Sequence, residues 1–181
     1  MKAREEYKIR LEMSKMHEVF IEQMSTAYDN KCYVETVWYC YAIFEQRINR
    51  LISKYIDKCK APKERIDKKT VSISTRINCL KQLSKSKYGA FDEFDYKLLV
   101  YIQEWCNERN ELVHGLVSLK YYKEYDKEFT KLAEKGVPLV FELYDACTDF
   151  RQRWKRYNEP TEDFPVKCKC KKKKCINPNC I

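Results

Sequence analysis

Three side chains able to act on a phosphodiester stand within six positions of one another, Arg109, Asn110 and His114, in the run R-N-E-L-V-H-G. His114 is one of only two histidines in the chain. An imidazole titrates near pH ~6.5, so it can accept or release a proton at neutral pH. A guanidinium is planar, always charged and forked, a good shape for holding charge that develops on phosphate oxygens. This set suits metal-free cleavage of RNA, in which the ribose 2′-OH loses its proton and attacks the neighbouring phosphorus. Asn110 and His114 are four apart and share one face of a helix. Arg109 falls on the apolar stripe of residues 90–119, with Ile102, Trp105, Leu112, Val113 and Leu116. Arginine is seldom buried unless it is paired or faces a crevice. Such a group on a core helix points to a site rather than to packing.

Other chemistries would leave marks that this sequence lacks. It has no Gly-rich phosphate loop, no G-x-S-x-G, no H-E-x-x-H and no carboxylate cluster suited to two metals. The elements that must position the site read as helices. Only 3 Gly and 5 Pro occur, while 44% of residues are hydrophobic and 35% charged, so helix formers dominate. A first helix is expected over residues 3–28 with Ile9, Met13, Met16, Phe20 and Met24 inward, ended by Asp29-Asn30-Lys31. A second spans about 34–56 with Val37, Trp38, Tyr41, Ile48, Leu51, Ile52 and Tyr55 inward. Glu45 lies near the middle of that apolar face. It is read either as a carboxylate that snorkels or pairs with a core cation, or as the group that orients Arg109 across the helix pair. Residues 59–70 form a basic loop, with a solvated charge run as the default reading and phosphate contact as the other.

A shorter helix follows on Ile73, Ile77, Leu80 and Leu83, then the helix carrying Arg109. Gly115 allows a bend or a close approach just after the histidine. A fifth helix is expected over 121–135 on Tyr125, Phe129 and Leu132. Gly136-Val137-Pro138 reads as its stop. A sixth runs over 139–157 on Leu143, Tyr144, Cys147, Phe150 and Trp154. The expected fold is therefore all-α, an antiparallel bundle of about five to six helices over residues 1–157. Residues 158–181 form an irregular Cys/Lys-rich tail.

Net charge is +9, an excess that favours a polyanionic partner and is also compatible with plain solubility. No apolar run approaches the roughly 20 residues of a membrane span, and MKAREEYKIR has no signal-peptide centre. No membrane association and a cytoplasmic location are expected. Cys32, Cys40, Cys59, Cys79, Cys106 and Cys147 are scattered singly, as small apolar residues are. The tail adds Cys168, Cys170, Cys175 and Cys180 in C-x-C-x4-C-x4-C with six lysines. Four thiolates could hold a structural tetrahedral zinc. The tight first pair and the missing second knuckle favour a disordered basic tail instead.

The run Arg109-Asn110-Glu111-Leu112-Val113-His114 resembles the R-N-x-x-x-H signature of the HEPN family (higher eukaryotes and prokaryotes nucleotide-binding domains), and it stands late in the third long helix of an all-α chain. The resemblance implies a four- to six-helix bundle, usually a homodimer, and a metal-independent endoribonuclease acting on single-stranded RNA. Arg109 and His114 would be catalytic and Asn110 supporting, with no cofactor for catalysis. Settings it implies are toxin–antitoxin pairs, with an antitoxin protein as partner, and phage defence. Family toxins paired with a nucleotidyltransferase antitoxin carry a tyrosine two residues after the histidine. Leu116 stands there, so that partner is not implied. Some family members are inactive nucleotide- or protein-binding modules, which is the alternative expectation. A purely structural zinc-tethered oligomer is a third.

Overall fold

A computed structural model of the chain describes residues 2–55, 72–85, 94–115 and 122–158. Every regular element in them is an α helix: α1 (Lys2–Asp29), α2 (Tyr33–Tyr55), α3 (Ile73–Lys85), α4 (Tyr96–Gly115) and α5 (Tyr122–Asn158). The all-α expectation holds. Leu116, the basic loop at 59–70 and the tail with Cys168, Cys170, Cys175 and Cys180 lie outside the described residues. No helix among the described residues is long and apolar enough to cross a membrane.

Local signals account for several helix ends. Asp95 caps α4, its Oδ1 accepting from the backbone N–H of Lys97 at 2.8 Å and of Leu98 at 3.3 Å. Ser72 does the same for α3, accepting from Thr75 N–H. After α1 the N–H of Lys31 donates to Tyr28 O and that of Cys32 to Ala27 O, a Schellman closure with Lys31 left-handed at φ 60°. Glycine usually fills that position, because a Cβ there is crowded. The sharp turn reverses the chain. Tyr28 meets Tyr33, Met24 meets Cys40 and Phe20 meets Tyr39, so α1 and the start of α2 run antiparallel.

The expected break at Gly136-Val137-Pro138 is absent, and one 37-residue helix replaces two. Phe129, Leu132, Ala133, Gly136, Val140, Leu143, Cys147 and Phe150 are buried at an unbroken helical period across the proline. Pro138 itself is exposed, so the carbonyl it leaves unbonded faces water. Burial on both sides outweighs an interior-proline cost of about 3 kcal/mol. Gly136 is not a cap either. The indole of Trp105 lies 2.8–2.9 Å from where its Cβ would stand.

The described residues group into two compact units, one within 2–47, 101–115 and 122–141, the other within 48–55, 72–85, 94–100 and 142–158. In the first, Trp105 is 2% exposed, meets Phe44 edge-on at 5.1 Å and donates from its indole N–H to Leu132 O at 2.8 Å. In the second, Phe94 packs against Phe150, and Phe150 against Trp154. Ile73, Ile77, Leu80 and Leu83 are buried there as their spacing predicts, and Arg76 donates to Asn49 Oδ1.

Candidate functional site

The Arg109 side chain is half-buried and held from three sides, all within the first unit. Its guanidinium carbon sits 4.5 Å from the ring centroids of both Trp38 and Tyr41. These rings are three residues apart on α2, so the helix presents them side by side. Arg109 Nη1 donates to Asn110 Oδ1 at 3.1 Å. Its Nε is buried without a hydrogen-bond partner among the described residues. A weakly hydrated, delocalised cation stacks well on aromatic faces and needs no carboxylate to stay there.

That arrangement differs from the expected one. Trp38 was expected inward but is 53% exposed. Residues 37–41 are V-W-Y-C-Y, apolar all round the turn, and one helix face cannot bury them all. Val37 and Cys40 take the core; Trp38 and Tyr41 are left to form a platform for Arg109. Glu45 was expected in the middle of the apolar face, yet it is exposed, because Phe44 and Ile48 occupy the inward positions around it. No hydrogen bond or ion pair joins Glu45 to Arg109 among the described residues. Its charge is still felt nearby. Burial raises the Tyr41 phenol above its ordinary value, Glu45 and Cys106 add to this, and Arg109 opposes it. Burial pushes the Cys106 thiol up to about 12, with Arg109 opposing and Glu45 assisting. Cys106 therefore keeps its proton and cannot act as a thiolate nucleophile at neutral pH.

His114 sits in the last turn of α4, exposed, where a cation would complement the helix C-terminus. The structure brings Arg109 and Asn110 together but joins His114 to neither by a hydrogen bond among the described residues. Five residues separate Arg109 and His114, about 7.5 Å along the axis and about 140° around it. The other histidine, His17, is buried at 4% exposure. His114 is thus the imidazole that solvent and ligands reach. Among the described residues no group of three or more His, Cys, Asp or Glu is placed to hold a metal ion. The partners that sequence reasoning missed are Trp38 and Tyr41 as ligands of Arg109. Their signal was present in the excess of apolar residues on one turn of α2. Set beside known proteins, the chain matches no family model, no curated protein and no solved structure.

Proposed function

We propose that the chain is a metal-independent endoribonuclease of the HEPN type, cutting single-stranded RNA and working in a toxin–antitoxin pair or in phage defence. The observation that carries this reading is the R-N-x-x-x-H run on α4, with its imidazole exposed and its guanidinium held by Trp38, Tyr41 and Asn110. His114 takes the proton of the 2′-OH, whose oxygen bonds to phosphorus as the bond to the 5′-oxygen breaks. Arg109 holds the charge that gathers on the phosphate oxygens. Asn110 fixes the guanidinium through its Oδ1.

The departing 5′-oxygen needs an acid as well, and each chain has one exposed histidine among the described residues. A two-fold homodimer supplies the second His114 across the axis. Gly115, next to His114, has no side chain of its own to hinder a close approach.

The test is incubation of the full chain with single-stranded RNA in chelator. Cleavage leaving 2′,3′-cyclic phosphate ends is expected. His114→Ala is expected to lower the rate by about 10²–10⁴-fold, and Arg109→Ala by at least about 10²-fold, with the helical spectrum retained. Full activity from a monomer, or survival of activity in His114→Ala, overturns the mechanism. RNA bound but never cut leaves the second reading, an inactive HEPN-like nucleotide- or protein-binding module. That reading is favoured by His114 lacking an orienting hydrogen bond among the described residues.

A further inference from the structure

Trp38 is an unusual tryptophan. Large aromatic side chains give most of their stabilisation when buried, and the 53% exposure of Trp38 forgoes much of it. One part of its ring carries the Arg109 guanidinium. Among the described residues no second ring stacks on it. Arg109 is meanwhile positioned before any ligand arrives, by two ring faces and by Asn110, and donors of its fork have no partner among the described residues.

The geometry points to Trp38 as the stacking platform for an unpaired RNA base at the Arg109 site, an inference that rests on the RNA reading above. A nucleotide offers a flat π-face and an anion a short distance apart. Open indole beside a fixed guanidinium offers the matching pair. Stacking is indifferent to sequence and available only where bases are unpaired, which selects single strands. Tyr41, whose ring carries the same guanidinium, is a phenol, protonated at neutral pH and able to donate its O–H. Glu45 is exposed seven residues along α2 from Trp38, about two turns away on the same side. Its carboxylate repels phosphate and can accept hydrogen bonds from base N–H groups, so the phosphate is left to the Arg109 end. The chain's net charge of +9 suits the same ligand.

The experiment uses the full chain carrying His114→Ala, so that bound RNA stays uncut, with a labelled single-stranded oligonucleotide in chelator at one fixed salt concentration. Trp38→Ala in that background is expected to weaken binding about 5- to 150-fold, since one stacked base is worth about 1–3 kcal/mol. Trp38→Phe should recover most of the loss. Because Trp38→Ala also removes one of the rings that hold Arg109, a scan with single abasic nucleotides separates the two effects. Abasic substitution at the stacked position weakens binding to the Trp38 protein but not further to the Trp38→Ala protein. Equal abasic losses in both proteins, or unchanged affinity of Trp38→Ala, overturn the platform while RNA binding itself stands. Dissociation of a dimer by Trp38→Ala also overturns it, since the ring is then a subunit contact. A His114→Ala protein that binds no RNA at all overturns the RNA reading and the platform together.

Discussion

Trp105 and Arg109 are one turn apart on α4, and Phe44 and Tyr41 lie less than a turn apart on α2, yet the two pairings are opposite in kind. At the first, an indole is buried, meets Phe44 edge-on, has its N–H satisfied by Leu132 O and fits against a glycine that leaves no spare space. At the second, a cation lies on two rings, one of them half open to solvent, with a buried Nε unmatched among the described residues. The first place has spent its interactions on the fold. The second keeps, among the described residues, guanidinium donors without a hydrogen-bond partner and an indole half open to solvent. Closeness along the same two helices is the link between them, since a closed packing site one turn away holds the open one in register.

The largest effect is expected from emptying the closed place. Trp105→Ala should cost about 3–5 kcal/mol, from lost packing and a cavity that rigid helices cannot fill. Denaturant titration measures it. A cost near that of a surface change would mean that Trp105 does not anchor the unit. Next comes Gly136→Ala, which puts a methyl group into the indole and should cost about 1–3 kcal/mol, despite alanine's better helix propensity. A stabilised variant would show that the tight fit is not needed. The smallest effect belongs to the open place. Glu45→Gln should change stability by no more than about 0.5 kcal/mol, because the carboxylate is exposed and Arg109 rests on rings. Tyr41 should then ionise at lower pH, since the Glu45 charge is one of the causes raising it, and NMR of its ring across an alkaline titration reads that shift. Loss of several kcal/mol on melting would restore the ion pair with Arg109.

Much of the architecture follows from local rules that need no partner. Helical spacing of Ile73, Ile77, Leu80 and Leu83 marks the inward face of α3, and all four are buried. Asp29-Asn30-Lys31 ends α1, since a residue there takes the left-handed conformation. The chemistry of Arg109, Asn110 and His114 was likewise legible, because their residue types and spacing lie within a single turn and a half of one helix.

Tertiary structure alone decided the rest. Whether Gly136-Val137-Pro138 breaks a helix depends on what lies opposite, and Trp105 fills the space above Gly136 while burial continues on both sides of Pro138. Which of Val37, Trp38, Cys40 and Tyr41 turns inward depends on the packing of α1 and α4 against α2, where Cys40 meets Met24 and Phe44 meets Trp105. A pattern of period 3.6 assigns a stripe but cannot rank five adjacent apolar residues for a limited interior. Nor can it choose a partner for a half-buried cation. A carboxylate and two aromatic rings can both serve Arg109, and only the positions of Trp38, Tyr41 and Glu45 across the helix pair select the rings.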